Sequence, residues 1–175
     1  MSQSYFLTRE LCEGVFKRFL TGLLQKYSLP GRTAFALAVI DPTLNYERAE
    51  GLIFEDQDWS RVLLWEGSLG ESQDMASYVA NARLKALEAL YHRESLKEVW
   101  DTRPVALRKG EIASYGGVYR NGIAAGGHGL HDYGDDKVMV DFAGLLHTAV
   151  KDSFPWTSRQ QRINQIREWG GILPA

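Results

Sequence analysis

Three segments of the chain repeat apolar residues at the three- and four-residue spacing of an amphipathic helix. They are Thr8–Tyr27, Ser68–Tyr91 and Asp135–Asp152. Each combines one apolar face with one polar face, so each is predicted to be a helix lying against a core. A shorter helix is predicted over Thr157–Trp169, and Thr8 is the predicted N-cap of the first helix.

Short apolar runs rich in strand-forming residues predict a sheet between these helices. Thr33–Ile40 ends at the turn dipeptide Asp41-Pro42 and is predicted to be the central strand, buried on both faces. Further strands are predicted at Glu50–Phe54, Arg61–Glu66, Gly110–Ser114 and Val118–Ala125. This order of helices and strands indicates an α+β fold, with an antiparallel sheet and helices packed on it.

Two connections and one helix surface add to this picture. The last hairpin turns either at Gly116-Gly117 or at Asn121-Gly122, and the charged segment Glu94–Lys109 is interpreted as a connection. The second long helix is rich in alanine, which projects little and therefore predicts close packing on a sheet. Its charged residues Arg83 and Lys85 are interpreted as solvated or helix-pairing, with the alternative that either reaches into a ligand site, and Arg83 is kept as a candidate ligand contact.

Length and composition indicate a single globular domain. A chain of 175 residues with 45% hydrophobic content can bury a core of its own. We predict one domain over residues 1–175, with a core at about 33–152. The N-terminal helix at 8–27 and the C-terminal helix at 157–169 are predicted to be additions to that core.

Charge and cysteine content exclude several classes of function. The net charge is −2 with both signs interspersed, and no basic run suits nucleic acid. Charged residues interrupt the first apolar segment, so it is predicted to be neither a signal peptide nor a membrane span. The single cysteine, Cys12, lies on the apolar stripe of the first helix and is interpreted as a core residue. One cysteine fits a reducing compartment, and we predict a cytoplasmic protein.

The stretch Ser114–Ala143 holds seven of the seventeen glycines and half of the histidines. Glycine at this density indicates backbone at positive φ, or a group that approaches the backbone closely, and a ligand is one such group. Behind the glycines a helix is predicted to begin near Asp135, and a helix N-terminus favours anions. His128 and His131 lie close to that point, followed by Asp132, Asp135 and Asp136.

Three interpretations of this cluster remain open. The histidines are exposed loop residues, with Asp132 or Asp135 capping the helix. Alternatively, His128, His131 and Asp135 bind a divalent metal or haem iron. In the third interpretation, His128, His131 and Asp132 perform acid–base catalysis near neutral pH.

A ligand pocket is predicted around the same loop, although tyrosines at strand ends are also ordinary structural residues. Its predicted lining combines aromatic rings, glycine backbone and one cation: Tyr115, Tyr119, Gly126, Gly127, Tyr133 and Arg83.

Three short motifs resemble the GlcG/HbpS-like family, also known from the C-terminal domain of PduO-type proteins. They are the helix pattern Ala82-x-x-Lys85-Ala86-x-x-Ala89, the polar run Tyr91–Ser95 and the glycine-rich run Gly122–Gly129. The similarity follows the element order over roughly Thr33–Lys151. It implies a profilin-like fold, with a five-stranded antiparallel sheet flanked by helices, and a homo-oligomer. Several members of that family bind haem.

Two classes of function are therefore expected. The first is a small-molecule-binding protein that takes haem or another flat aromatic ligand in the glycine- and histidine-rich loop. The alternative is an enzyme acting on a small aromatic or carbonyl metabolite through the cluster of His128, His131 and nearby aspartates. A third possibility is an assembly protein whose glycine-rich stretch closes a subunit interface. Nucleic acid and membranes are not expected among the partners.

Overall fold

The computed structural model describes residues 7–27, 30, 32, 34–44, 58–106 and 114–153. Within these ranges the chain forms an α+β fold, in which helices cover both faces of an antiparallel sheet of four strands. The helices are α1 (Arg9–Tyr27), α2 (Met75–His92), α3 (Leu96–Thr102) and α4 (Asp132–Ser153). The strands are β1 (Phe35–Ile40), β2 (Leu63–Leu69), β3 (Gly117–Arg120) and β4 (Ile123–His128). Short 3-10 turns span Trp59–Arg61 and Pro104–Ala106.

Strand β1 lies at the centre of the sheet, as predicted. The strand order is β2-β1-β4-β3, every neighbouring pair is antiparallel, and all six residues of β1 are buried. Alternate side chains of β1 enter two different cores, because successive residues of a strand point to opposite faces. Phe35, Leu37 and Val39 pack towards α1 and α4, whereas Ala36, Ala38 and Ile40 pack towards α2.

Helix α2 packs directly on β4 through small residues. A Cβ atom built on Gly126 would lie 2.2 Å from the carbonyl oxygen of Ala82 and 2.4 Å from the backbone nitrogen of Ala86. The backbones therefore approach as closely as glycine and alanine allow, which confirms the predicted close packing of this helix. The group that approaches this glycine is the protein's own helix.

The last hairpin turns at Asn121-Gly122, one of the two alternatives left open by the sequence, so the predicted single strand Val118–Ala125 is wrong and is divided between β3 and β4. Asn121 has φ +53° and Gly122 has φ +80°. Positive φ at both central residues is the condition for the two-residue turn that best matches strand twist. This turn places β3 beside β4, with Tyr119 opposite Ala124.

Several predicted boundaries are wrong. The helix expected from Ser68 begins at Met75, because Ser68 and Leu69 pair with β1 and extend β2 beyond Glu66. The segment interpreted as a connection contains α3. Its start carries a capping box, in which the backbone N–H of Ser95 donates to the Glu98 carboxylate at 3.3 Å. The spacing of Ser95 and Glu98 is the sequence signal of this helix start.

Helix α1 belongs to the core and is more than an addition to it. Cys12, Val15, Leu20 and Leu24 are buried in the cluster that also holds the interior face of α4. Thr8 acts as the predicted N-cap, since its Oγ1 accepts the backbone N–H of Leu11 at 3.2 Å.

Three predicted elements fall on residues that are not described. They are the strand Glu50–Phe54, the strand Gly110–Ser114 except for its last residue, and the helix Thr157–Trp169. The fifth strand therefore stays a prediction. Among the described helices, none has the length and apolar character that crossing a membrane requires.

Candidate functional site

Lys85 is buried, which overturns its interpretation as a solvated charge. Its side chain is fully removed from solvent, and its ammonium lies 3.1 Å from Oδ2 of Asp135 and 3.3 Å from the carbonyl oxygen of Gly127. Helices α2 and α4 lie on opposite faces of the sheet, so this ion pair joins the two layers. The alanine stripe already contained the signal, because Lys85 lies three residues after Ala82 and four before Ala89.

His128 completes a three-residue cluster at the end of β4. Its Nδ1 atom lies 3.0 Å from Nζ of Lys85 and 3.1 Å from Oδ2 of Asp135. The imidazole is 28% exposed, whereas the other two side chains are buried. The rings of Tyr78 and His128 are nearly perpendicular, at an interplanar angle of 89° and a centroid distance of 5.3 Å. No described residue forms a hydrogen bond with its outer nitrogen, Nε2.

The loop between β4 and α4 holds Asp135 in place. Oδ1 of Asp135 accepts the backbone N–H of Leu130 at 2.9 Å, and the backbone N–H of Asp135 donates to the carbonyl of His131 at 2.8 Å. Gly129 has φ +146°, and a Cβ there would lie 2.3 Å from the carbonyl oxygen of Ala34. The loop therefore needs glycine at position 129. Both carboxylate oxygens of Asp135 are held, Oδ1 by the backbone of Leu130 and Oδ2 by Lys85.

Gly116, which precedes β3, packs against the ion pair of Lys85 and Asp135. Its φ is +97°, and a Cβ there would lie 2.8 Å from Cβ of Asp135 and 3.3 Å from Nζ of Lys85. Any side chain would push into the pair. Gly116, which was predicted only as part of a possible hairpin turn, has the positive φ expected in this stretch and leaves room for Lys85 and Asp135.

Among the described residues, the side chains of the other predicted catalytic and metal residues, His131 and Asp132, form no hydrogen bond with the side chains of this cluster. Nδ1 of His131 accepts the backbone N–H of Gly134 at 3.2 Å, and Asp132 accepts the Ser114 hydroxyl at 2.7 Å. In the described part of the chain, no three or more His, Cys, Asp or Glu residues are grouped so as to hold a metal ion. Of the two histidines, His128 contacts Asp135, whereas the side chain of His131 accepts a hydrogen bond from the backbone of its own turn.

The predicted ligand residues are spread over several places. The Tyr115 hydroxyl donates to Asp101 at 2.6 Å, and this hydrogen bond raises the pKa of Tyr115. Tyr133 is 54% exposed beneath the ammonium of Lys137. Arg83 forms a two-pronged pair with Glu66, each contact at 2.7 Å.

The remaining two predicted ligand residues, Tyr119 and Gly127, take part in packing. Tyr119 packs against the core beneath α2. A Cβ on Gly127 would lie 2.5 Å from Phe35 and from Met139. We therefore assign Gly127, like Gly126, to the packing of the fold.

A second buried acid, Asp136, lies beside α3. It is 5% exposed, and burial raises its pKa against the lowering influence of Lys97 and Lys137. Its Oδ1 atom has no hydrogen-bond partner among the described residues. The charged residues that influence the pKa of Asp136 belong to α3 and α4, and none of them is a hydrogen-bond partner of His128.

The chain matches no protein-family model, no curated protein and no solved structure. The family resemblance therefore stays a prediction, and the geometry of Lys85, His128 and Asp135 carries the functional argument.

Proposed function

We propose that this protein binds a small organic molecule at the exposed edge of His128. The observation that carries the proposal is the contrast within one cluster. Two fully buried charges hold Nδ1 of an imidazole that is 28% exposed, and its other nitrogen, Nε2, forms no hydrogen bond with any residue that the structure describes. A buried ion pair is weak evidence for stability, because desolvation offsets most of its attraction. Its placement beside the partly buried His128 instead suits a positioned binding group.

The surroundings of His128 restrict how its ring can turn. Nδ1 contacts Lys85 and Asp135, and the ring of Tyr78 packs nearly perpendicular to the imidazole. Because these contacts exist before any ligand arrives, little side-chain freedom remains to be lost on binding. The Nε2 atom therefore points in a defined direction.

The profilin-like fold and the homo-oligomer are part of the same proposal. Both are what the resemblance to the GlcG/HbpS-like motifs implies, and the antiparallel sheet with β1 between β2 and β4 supports the first of them. A homo-oligomer requires a mass in solution that is a multiple of the 19.7 kDa chain. Light scattering across a range of protein concentrations measures it, and a single mass equal to that of one chain would overturn this part.

The binding proposal is tested with His128→Ala and a matched control, His147→Ala. His147 is a half-buried residue of α4 outside the cluster. Native mass spectrometry of the purified protein, followed by a thermal-shift screen of aromatic acids, aldehydes, ketones and haem, identifies compounds that bind. We expect the wild type and the control to bind the same compounds and His128→Ala to lose them. If His128→Ala keeps every compound, the site is elsewhere. If a compound is converted by the wild type but not by His128→Ala, the enzyme alternative is favoured.

A further inference from the structure

The three protons of the Lys85 ammonium have three possible acceptors nearby, if His128 acts as one of these acceptors. An ammonium group carries three N–H donors and accepts nothing. Its described neighbours are the carbonyl oxygen of Gly127, Oδ2 of Asp135 and Nδ1 of His128, at 3.0 to 3.3 Å. The third hydrogen bond exists only if Nδ1 is unprotonated, since an N–H group cannot accept one.

The two neutral forms of His128 differ in what they leave unsatisfied. With the proton on Nε2, all three protons of Lys85 are used, and Asp135 still accepts from Lys85 and from the backbone of Leu130. With the proton on Nδ1, His128 donates to Asp135, but one ammonium proton is left in a place with no solvent exposure. Buried donors without a partner are rarer than acceptors with an unused lone pair.

We propose that Lys85 is a positioning residue that holds His128 in the form with its proton on Nε2. This inference rests on the proposed binding at His128 and adds the class of ligand. An outward N–H group donates, so the ligand offers an oxygen acceptor, and a carboxylate binds more strongly than a neutral carbonyl because charge strengthens the bond. Haem iron and divalent metals need a lone pair on Nε2. His128 does not fit them while Lys85 is in place.

The protonation of His128 can be measured directly on the unmodified chain. In protein labelled with ¹⁵N, protonated and unprotonated imidazole nitrogens give separate resonances, and His128→Ala assigns the signals. We expect the proton on Nε2 in the wild type. Lys85→Met removes the competing donor, so the proton is expected to move to Nδ1, facing Asp135. Lys17→Met, on the exposed face of α1, is the control and leaves the spectrum of His128 unchanged. A wild-type proton on Nδ1 would overturn the inference, even if ligands bind at His128.

Three probes test the ligand class by their effect on the His128 resonances. Benzoate and benzylamine share a ring but offer an acceptor and a donor group respectively, and Zn²⁺ requires a lone pair. We expect benzoate alone to shift the wild-type signals, and Lys85→Met to weaken benzoate by about tenfold or more, the effect of losing a hydrogen bond to a charged group. We expect Zn²⁺ to shift the signals of Lys85→Met only.

The outcomes distinguish a wrong ligand class from the absence of any binding at His128. If benzylamine or Zn²⁺ shifts wild-type His128 and benzoate does not, binding at His128 stands and the ligand class is overturned. If no probe and no compound from the thermal-shift screen reaches His128, the proposed function itself is overturned, and the ligand class with it. Both measurements use the wild type, so they decide the question even if Lys85→Met does not fold.

Discussion

The ammonium of Lys85 lies 3.1 Å from the carboxylate of Asp135, and their side chains are 0% and 1% exposed. The two residues belong to helices on opposite faces of the sheet, so the pair ties the two layers together at the end of β4. Each charge depends on the other, because neither can be solvated by water where it lies.

Removing either charge is therefore expected to be costly, and removing both less so. Lys85→Met leaves a buried carboxylate, and Asp135→Asn leaves a buried ammonium, so each is expected to lower the free energy of unfolding by about 3 kcal/mol or more. In the double variant neither charge remains, and the loss should be clearly smaller than the sum of the two. Urea denaturation of the four proteins measures this cycle. Additive losses would show that the pair is not coupled.

Gly126 is predicted to tolerate no side chain. In Gly126→Ala the new Cβ meets the backbone of α2 at 2.2 to 2.4 Å, and backbone cannot move aside as a side chain can. We expect a loss of about 1 to 3 kcal/mol, the usual cost of overpacking. The matched control is Gly14→Ala in α1, where, apart from the neighbouring residues and backbone of the helix itself, no described atom lies within 4 Å of the added methyl group. That change should stabilise by about 0.5 to 1 kcal/mol, because alanine favours the helix. Equal effects in the two variants would contradict the close contact of α2 with β4.

Asp136 is predicted to make the protein less stable as the pH rises. Burial raises its pKa above the ordinary value of 3.8, so the folded chain holds this proton more tightly than the unfolded chain. Its contribution to the free energy of unfolding is full below 3.8 and is lost as the pH passes through the raised pKa. Asp136→Asn, which cannot ionise, should therefore exceed the wild type in stability near neutral pH.

The advantage of Asp136→Asn should disappear in acid. Thermal unfolding of both proteins across the acidic to neutral range measures the difference, and Asp152→Asn, at an exposed position of α4, serves as the control. A constant difference between Asp136→Asn and the wild type would show that the change acts through packing and not through the proton.

Cys12 is predicted to be unreactive until the chain unfolds. It is fully buried, and burial raises the pKa of its thiol from 9.0 to about 12. Because the thiolate is the reactive form, a disulfide reagent such as Ellman's should label it only at the rate at which α1 opens. In denaturant the same reagent should titrate one thiol per chain, since the sequence has one cysteine. Rapid labelling of the folded protein would contradict the burial of this face of α1.

The sequence by itself determined the elements whose signals are local. The run ending at Ile40 predicted the central strand, and the alanine-rich helix was correctly expected to lie flat on the sheet. Asn121-Gly122 offered a turn because these residues tolerate positive φ. In each case neighbouring residues carry the information. Even the missed helix α3 had a local signal in Ser95 and Glu98.

Only the tertiary structure decided what the glycines and charges do. The density of glycines predicted positive φ or a closely approaching group somewhere in this stretch. That a helix approaches Gly126 and an ion pair approaches Gly116 depends on distant residues. His131 and His128 look equivalent in the sequence, yet only His128 meets Lys85 and Asp135. Lys85 forms its ion pair with Asp135, which lies fifty residues further along the chain. A buried charge requires an oppositely charged or hydrogen-bonding partner in the folded structure, and no local pattern along the chain identifies that partner.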